Sequence, residues 1–407
     1  MVKKIVIVGA GHAAGQVIAL LKQKKYLGQI VLIGEEPYLP YQRPPLSKKF
    51  LSNELAIDRL YLKPFEFYDD PNIKKYLDTK VISINRKKKS IELNNGKEIF
   101  YDKLLLSVGS RVRHLNVKGS NLHGIHYIRS IDDVISIKSK LNKKKNVVII
   151  GGGYIGLETA AVIKGLGHNV TVLEKDSRLL SRVVSPDISD FFEIEHARNG
   201  VKLKLSTDVI EFYGNKSIES LKTSNDKIIP ADLVIIGIGV KPNFELAEDA
   251  DLKVNNGIIV NDVCQTSDSD IYAVGDCTMH PNSIYDRYIR LESVQNALEQ
   301  AKIAVGNICG ENKIKSQVPW FWSDQYDLKL QIAGLSEGYD KTIVTGNPSD
   351  RSFACLYFKN DRLIATDAIN SAAEFIMSKK LIASRRKINT DKLENKKMSL
   401  KDLIDEK

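Results

Sequence analysis

Two glycine loops in this chain have the residue spacing that binds the pyrophosphate of a dinucleotide. One follows the apolar run IVIV with the pattern G-x-G-x-x-A, and the other follows NVVII with the pattern G-x-G-x-x-G. The first glycine turns the chain, the second lets the backbone approach a phosphate, and the third position packs the next helix on the strand. The pattern residues are Gly9, Gly11, Ala14, Gly151, Gly153 and Gly156. Two loops predict two dinucleotides, and a bound flavin with an exchanging nicotinamide is the simplest pair.

An acidic residue follows each loop at about the 20-residue distance at which a carboxylate meets an adenosine ribose. These residues are Glu35 and Glu174, each directly after a second apolar run. Glu174 would repel a 2′-phosphate, so the sequence favours NADH over NADPH. Lys175 and Arg178 nearby could weaken that preference. For Glu35, the alternative is an exposed carboxylate in a turn.

The elements that must position both loops are two strand–helix–strand units. Apolar runs and helical periodicity predict strands over 2–8 and 29–34 around a helix over 12–25. They also predict strands over 146–151 and 169–173 around a helix over 154–166. This pattern indicates the α/β class with parallel strands. Further strands are predicted over 80–84, 90–93, 104–108, 231–239 and 270–277, further helices over 131–141, 290–309 and 371–381, and antiparallel strands near 341–346, 352–358 and 362–367.

The composition is that of an ordinary globular protein, with 407 residues, 43% of them apolar and 27% charged. No apolar run approaches the ~20 residues that span a bilayer, and the N-terminus enters a strand and a glycine loop instead of a signal peptide. The net charge of +10 indicates either a lysine-rich solvated surface or a basic face for an acidic protein partner. No nucleic-acid-binding motif is present, and we expect a cytoplasmic protein.

The positions of the cysteines argue against a disulfide reductase. The four cysteines lie far apart, without a C-x-x-C pair or the spacing of metal ligands, and none lies within 36–60 or 110–240. A flavoprotein that reduces disulfides through a dithiol needs such a pair. A flavin without one must pass electrons outward, which favours a one-electron acceptor. The chain has no iron–sulfur ligand pattern of its own, so any cluster belongs to a partner.

Several separated motifs make the chain similar to one family. They are YQRPPLSK at 41–48, GGGYIGLE at 151–158, TSDSDIYAVGDC at 266–277, ESVQNALEQA at 292–301 and PWFWSDQYDLKLQIAG at 319–334. With the first glycine loop, they resemble the FAD-dependent NADH:ferredoxin reductases of bacterial oxygenase systems. The resemblance extends over nearly the whole chain.

This resemblance implies two Rossmann-like domains, as in glutathione reductase, and a C-terminal α+β interface domain. The expected boundaries are 1–109 with 241–319 for FAD, 110–240 for NAD, and 320–407 for the interface domain. It also implies electron transfer from NADH through FAD to a 2Fe-2S ferredoxin that feeds a haem monooxygenase or a ring-hydroxylating dioxygenase. The alternatives are a rubredoxin reductase, an NADH oxidase, or a redox-sensing interaction protein like apoptosis-inducing factor.

The cofactor-binding residues follow from the loops and from the resemblance. We expect Gly9, Gly11, Ala13, Ala14 and Glu35 to bind FAD, with Asp276 accepting hydrogen bonds from its ribityl chain. By resemblance alone, Lys48, Val81, Arg129, Val294 and Trp320 also contact FAD. NADH is expected at Gly151, Gly153, Tyr154, Ile155, Gly156, Glu174 and Gly239.

Lys48 and Glu158 are the expected catalytic pair. Two prolines fix the approach to Lys48, and Glu158 begins the helix after the second loop, where it could pair with that lysine. The resemblance places such a pair beside the reactive nitrogen of the flavin, where its field would shape the nicotinamide pocket. The alternative is a purely structural salt bridge.

Ferredoxin docking has no sequence signature. Arg290, Lys302 and Lys379 are the candidate contacts for an acidic ferredoxin. The alternative for each is a solvated surface charge, since exposed charges contribute little energy.

Overall fold

The structure is a computed structural model, which describes residues 3–311, 317–394 and 400–405. Its chain forms two compact units, each built from three segments. The first unit comprises Met1–Arg43, Ile57–Arg111 and Lys241–Pro319, and the second comprises Pro44–Ala56, Val112–Val240 and Trp320–Lys407. Among the described residues, none of the helices combines the length and the apolar character needed to cross a bilayer.

The strands and helices are numbered in chain order. The strands are β1 (Lys4–Val8), β2 (Gln29–Ile33), β3 (Ile73–Tyr76), β4 (Val81–Asn85), β5 (Ser90–Leu93), β6 (Glu98–Phe100), β7 (Lys103–Leu106), β8 (Ser110–Val112), β9 (Ile125–Tyr127), β10 (Asn146–Ile150), β11 (Asn169–Leu173), β12 (Lys202–Lys204), β13 (Val209–Tyr213), β14 (Ser220–Thr223), β15 (Ile228–Pro230), β16 (Leu233–Ile236), β17 (Val240–Pro242), β18 (Ile258–Ile259), β19 (Ile271–Ala273), β20 (Thr278–Asn282), β21 (Arg287–Ile289), β22 (Trp320–Gln325), β23 (Leu328–Gly334), β24 (Lys341–Asn347), β25 (Ser352–Lys359) and β26 (Arg362–Ile369). The helices are α1 (His12–Gln23), α2 (Ile131–Lys138), α3 (Tyr154–Gly165), α4 (Pro186–Arg198), α5 (Glu245–Glu248), α6 (Val294–Ile308), α7 (Ala372–Ser384), α8 (Thr390–Glu394) and α9 (Leu400–Asp405).

The first unit is organised around a parallel sheet with the strand order β19-β7-β1-β2-β3. Its central strand β1 pairs with β2 and β7, so that Val6 lies opposite both Val31 and Leu104. The apolar run KIVIV is almost entirely buried, as is typical of a parallel strand covered on both faces. Helices α1 and α6 pack together over one face of this sheet. The first glycine loop therefore lies at the carboxyl end of a central strand.

The second unit contains a parallel sheet, a three-stranded antiparallel sheet of order β13-β14-β15 and a larger antiparallel sheet. The parallel sheet has the order β12-β11-β10-β16-β9, and the second glycine loop follows its central strand β10. The larger antiparallel sheet, β22-β23-β26-β25-β24, belongs to the C-terminal segment and carries α7 against it. These sheets confirm the predicted fold class, two Rossmann-like nucleotide-binding folds with an α+β end.

Most predicted elements are present with shifted ends. The helix predicted over 290–309 begins at Val294, because the Ser293 hydroxyl caps it by accepting from the Asn296 amide. Segment 44–56, expected with the FAD domain, packs with the second unit instead. Its short 3₁₀ turn Pro44–Ser47 contacts α2 and α3. Sequence reasoning did not predict helix α4, whose last turn contains the buried His196.

Candidate dinucleotide sites and the Lys48–Glu158 pair

The first glycine loop forms an open cradle at the start of α1. Gly9 has φ +101°, and a Cβ there would overlap the carbonyl group of Ser107, so only glycine fits. A Cβ on Gly11, by contrast, would meet nothing within 4 Å. Gly11 caps α1 without a side-chain hydrogen bond, which leaves the first-turn amides of the helix available to an anion.

The second loop repeats this geometry at the start of α3. Gly151 has φ +107°, and a Cβ on it would overlap the carbonyl group of Gly237. Gly156 lies so close to the Gly151 carbonyl that any side chain would separate helix from strand. Gly153 caps α3 without a side-chain hydrogen bond, and a Cβ on it would meet nothing within 4 Å. Both cradles therefore fit a pyrophosphate group.

His12 supports this fit in the first cradle, and sequence reasoning missed it. Its Nδ1 atom is buried without a hydrogen-bond partner in the described part of the chain. Burial, followed by the positive charge of Arg43, lowers the pKa of His12 against the opposing effect of Asp276. A neutral imidazole with an unpaired nitrogen at the first residue of α1 is suited to contact a bound polar ligand. The signal was a polar residue inside the motif GAGHAAG.

The other residues expected to bind FAD within the first unit are distributed over several elements. Ala13 and Ala14 are buried in α1, Val81 is buried at the start of β4, and Val294 is half-buried at the start of α6. Asp276 follows Gly275, which has φ +86°, and its carboxylate accepts a hydrogen bond from the Ser110 hydroxyl at 2.9 Å.

Two neighbouring acids after β2 have different surroundings. The Glu35 side chain is largely exposed and lies 3.3 Å from the Lys80 ammonium group. Glu36 is more enclosed, and its carboxylate accepts hydrogen bonds from the Tyr41 hydroxyl at 2.6 Å and the Arg43 guanidinium at 2.5 Å. The only contact of Glu35 given by the described residues is the one to Lys80, so its role at the ribose stays a prediction.

Glu174 is anchored in the second cradle. Its carboxylate accepts a hydrogen bond from the Gly152 amide at 2.6 Å and another from the Asp176 amide at 2.8 Å. The two neighbouring cations are engaged elsewhere. Lys175 pairs with Asp208 at 3.1 Å, and the Arg178 guanidinium donates to two carbonyls and the Ser189 hydroxyl. Neither cation is directed by these contacts toward a 2′-phosphate.

The remaining predicted residues of the second unit lie around α2, α3 and β22. Tyr154 packs its ring on Phe321, and its hydroxyl is buried without a described hydrogen-bond partner. Ile155 is partly exposed, and Gly239 has φ +97°. The Arg129 amide donates to Asp133 at the start of α2, and Trp320 is half-buried on β22.

The expected pair between Lys48 and Glu158 is present. The Lys48 ammonium lies 2.7 Å from Glu158 Oε2, and the Glu158 side chain is only 1% exposed. The hydroxyls of Ser47 and Ser323 donate to Oε2 at 2.6 Å and to Oε1 at 2.7 Å. Because burying a carboxylate is costly without hydrogen-bond donors, these three contacts offset the cost of burying Glu158.

The three candidate docking residues differ in how free they are. Arg290 is mostly buried and pairs with Glu292 at 2.5 Å, while Lys302 is exposed on α6. The Lys379 ammonium lies 5.4 Å from the centroid of the Trp320 ring and 5.5 Å from that of Phe375. Lys302 is thus the least engaged of the three.

The cysteine thiols are unpaired. Cys264, Cys277 and Cys355 are buried, and Cys309 is exposed. Burial raises the pKa of Cys277 to about 12, so that this thiol stays protonated at neutral pH. None of these side chains provides a dithiol.

Comparisons with known proteins agree on one family. Residues 3–301 match the family described as Pyridine nucleotide-disulphide oxidoreductase, and residues 320–404 match the one described as Reductase C-terminal. The chain is 40% identical to a ferredoxin–NAD(P)+ reductase from Sphingomonas sp, covering 94% of this chain and 93% of that protein. It is 40% identical to a rubredoxin–NAD+ reductase from Pseudomonas putida, covering 90% and 95%. The crystal structure of a covalent putidaredoxin reductase–putidaredoxin complex superposes with a TM-score of 0.95 at 38% identity, covering 99% of this chain and 98% of that chain.

Proposed function

The chain belongs to the pyridine nucleotide-disulphide oxidoreductase family, and from that premise we propose that it is an NADH-dependent flavoprotein reductase for a 2Fe-2S ferredoxin. Electrons pass from NADH through FAD to the ferredoxin, which feeds a haem monooxygenase or a ring-hydroxylating dioxygenase. The observation that carries this proposal is the presence of two matched glycine cradles in a chain whose four cysteines are all unpaired. Two dinucleotides without a dithiol leave an external acceptor as the outlet for electrons.

The residues of this chain bind and orient the two cofactors. When bound, FAD supplies the redox chemistry, because it can accept a hydride from NADH and release electrons one at a time. The first-turn amides of α1 and α3, after Gly11 and Gly153, would hold the two pyrophosphates. Asp276, whose carboxylate accepts a hydrogen bond from Ser110, would accept further hydrogen bonds from the ribityl chain of FAD. The resemblance assigns Lys48, Val81, Arg129, Val294 and Trp320 to the same cofactor.

Glu158 and Lys48 provide a fixed field. The carboxylate holds the ammonium at 2.7 Å, and the Pro44 carbonyl accepts from the same ammonium at 3.3 Å. A lysine restrained in this way keeps its charge in one place, and the resemblance puts that place beside the nicotinamide pocket. Charge that is preorganised needs no rearrangement when the hydride moves, and this is the basis of electrostatic catalysis.

Glu174 gives the preference for NADH. Its two carboxylate oxygens bind the Gly152 and Asp176 amides, which fixes its negative charge beside the second cradle. A 2′-phosphate would meet that charge, with Lys175 and Arg178 occupied by other partners. Gly239, also assigned to NADH, has φ +97°, a conformation in which any side chain would be strained.

A rubredoxin is the second candidate acceptor, because a rubredoxin–NAD+ reductase is as similar to this chain as the ferredoxin–NAD(P)+ reductase is. We favour the ferredoxin because two relatives that cover 98% of this chain are also named as ferredoxin reductases. We also propose that the protein works in the cytoplasm, where NADH is formed and where thiols such as Cys309 stay reduced.

The test is anaerobic reduction of the purified yellow protein by NADH, followed by stopped-flow mixing with a panel of ferredoxins and rubredoxins. We expect NADH to bleach the flavin and an acidic 2Fe-2S ferredoxin to reoxidise it faster than any rubredoxin. Fast turnover with oxygen alone would identify an NADH oxidase, and slow turnover with dimerisation on reduction would identify a redox sensor. A flavin that NADH does not bleach would contradict the proposal.

Docking is tested separately by ionic strength. An electrostatic complex predicts that ferredoxin reduction slows as salt rises. Lys302→Glu should slow it as well, whereas Lys88→Glu, on the exposed β4–β5 turn, serves as the matched control. Rates with ferricyanide should stay unchanged in both variants.

A further inference from the structure

A line of buried polar side chains leads away from Glu158 through the second unit. The Ser323 hydroxyl lies 2.7 Å from Glu158 Oε1, and Gln325 Nε2 lies 3.3 Å from Ser323 Oγ. His196 Nε2 lies 2.8 Å from Gln325 Oε1, and the Tyr326 hydroxyl lies 2.9 Å from His196 Nδ1. Glu158, Ser323, Gln325 and His196 are each at most 2% exposed. Such a network is costly unless every member is paired.

Three distant parts of the sequence build this line. Glu158 lies on α3, His196 lies in the last turn of α4, and Ser323 and Gln325 lie two residues apart on β22. Successive side chains of a strand alternate between its faces, so Ser323 and Gln325 point together into the interior while Asp324 between them is exposed. Because they lie two residues apart, Ser323 and Gln325 are on the same face of β22, where they contact Glu158 of α3 and His196 of α4.

The donor and acceptor roles along the line are determined by Glu158. An ionised carboxylate only accepts, so Ser323 must donate its proton to Oε1. The Ser323 oxygen then accepts from the Gln325 amide nitrogen, which leaves the Gln325 carbonyl oxygen facing His196. If the amide were turned over, the Ser323 proton would go to Gln325, and Glu158 Oε1 would lose the donor that Ser323 provides.

His196 must then be neutral with its proton on Nε2, because that nitrogen donates to Gln325 and Nδ1 accepts from Tyr326. Burial lowers the pKa of His196 to about 4, which agrees with a neutral ring. Burial also raises the pKa of Tyr326, so its phenol keeps its proton. The nearby Glu195 carboxylate is already paired with Arg198 at 2.6 Å and Arg351 at 3.1 Å.

We propose that Ser323, Gln325 and His196 are positioning residues whose hydrogen bonds all run toward Glu158 and hold its carboxylate against Lys48. All four hydrogen bonds of the line have the same direction, each donor lying on the Tyr326 side and each acceptor on the Glu158 side. Each bond therefore polarises the next. The line prevents the Glu158 carboxylate from rotating, and the Lys48 ammonium that it contacts keeps its position. The effect on hydride transfer depends on the function proposed above, whereas the direction of the hydrogen bonds does not.

The direction of the hydrogen bonds is tested by ¹⁵N NMR of the holoprotein labelled at histidine. The His196 signals are assigned as those that are lost in His196→Asn. We expect His196 to be neutral and protonated at Nε2 throughout pH 5 to 9. Protonation at Nδ1, or a charged ring at neutral pH, would reverse or break the chain and overturn the proposal. The NMR result tests the direction of the hydrogen bonds whether or not NADH is the reductant.

The test of positioning uses three substitutions on β22. Gln325→Met keeps the volume without a donor, and we expect hydride transfer from NADH to slow about tenfold, or ~1.4 kcal/mol. In Gln325→Glu the side chain can donate to Ser323 only when protonated, so hydride transfer should slow as pH rises, unlike in the wild type. Asp324→Asn, on the exposed face of the same strand, should match the wild type.

A double-mutant cycle separates positioning from general damage. The Gln325→Met effect should disappear in a Lys48→Met background, because both changes act through the same ammonium. An equal loss in both backgrounds, or no loss from Gln325→Met in a variant that keeps its flavin and its unfolding midpoint, would contradict the positioning role. Failure of the wild type to be reduced by NADH would instead reject the proposed function and leave the NMR result intact.

Discussion

Glu174 accepts a hydrogen bond from the amide of Gly152 at 2.6 Å, inside the second glycine loop. The acid that the sequence suggests for cofactor selection therefore also holds the loop in shape. Its second oxygen accepts from the Asp176 amide at 2.8 Å, which ties the loop to the turn after β11. Selectivity and loop geometry thus depend on the same carboxylate.

We predict that Glu174→Ala will raise the KM for NADH and reduce the discrimination against NADPH. The substitution removes the negative charge and leaves two amides without their acceptor, at a cost of roughly 1–3 kcal/mol. Steady-state kinetics with both nucleotides, together with thermal unfolding, will measure the two effects. Lys175→Ala is the control, and equal discrimination in Glu174→Ala and the wild type would contradict the assignment.

Gly153→Ala should weaken NADH binding without weakening the fold. Gly153 has extended backbone angles that alanine can adopt, and its added methyl would meet no protein atom within 4 Å. That methyl would occupy the space proposed for the pyrophosphate, raising the Kd for NADH by roughly tenfold or more, or ~1.4 kcal/mol. Isothermal titration and thermal unfolding will separate binding from stability.

Its matched control is Gly165→Ala, at the end of the same helix α3, where an added methyl is equally free of contacts. We expect NADH affinity there to equal that of the wild type. Equal affinities in Gly153→Ala and Gly165→Ala would remove the second cradle from the NADH site.

Lys48→Met should slow reduction of the flavin by NADH and lower the unfolding free energy. The change leaves the buried Glu158 carboxylate without its cation, although Ser47 and Ser323 still donate to it. Breaking a buried ion pair costs about 3–5 kcal/mol, and the smaller figure suits a lysine that is 16% exposed. Stopped-flow reduction and denaturant unfolding report the two quantities, and lower stability at an unchanged reduction rate would identify a purely structural salt bridge.

A buried acid in the C-terminal sheet should make stability depend on pH. Burial raises the pKa of Asp367 to about 7, against the opposing effect of the hydrogen bond that it accepts from the Tyr357 hydroxyl at 2.5 Å. The folded chain keeps this proton up to about pH 7, whereas an unfolded aspartate releases it near pH 4. The contribution of Asp367 to the free energy of unfolding is therefore fully present below about pH 4 and is lost as pH rises through about 7.

Asp367→Asn removes this titration while keeping an oxygen for Tyr357. Its unfolding free energy should change less between pH 5 and pH 8 than that of the wild type, as measured by denaturant unfolding at each pH. Parallel profiles for the two proteins would show that Asp367 does not titrate in this range.

The sequence by itself determined the two cradles and the class of the fold. Glycines at fixed spacing after β-branched runs admit few other structures, because a side chain at Gly9 or Gly156 would overlap backbone atoms. Local periodicity likewise identified the central strands β1 and β10, whose residues are buried on both faces. The ion pair between Lys48 and Glu158 also followed from motifs that lie far apart in sequence.

Only the tertiary structure decided what surrounds that pair. Ser323, Gln325 and His196 carry no signal of their own, because isolated polar residues in a strand or helix usually face solvent. Packing of β22 and α4 within the second unit buries them, and burial requires that each find a partner. Spacing along a chain can specify where a backbone turns, whereas the direction of a buried hydrogen bond depends on groups brought together only by folding.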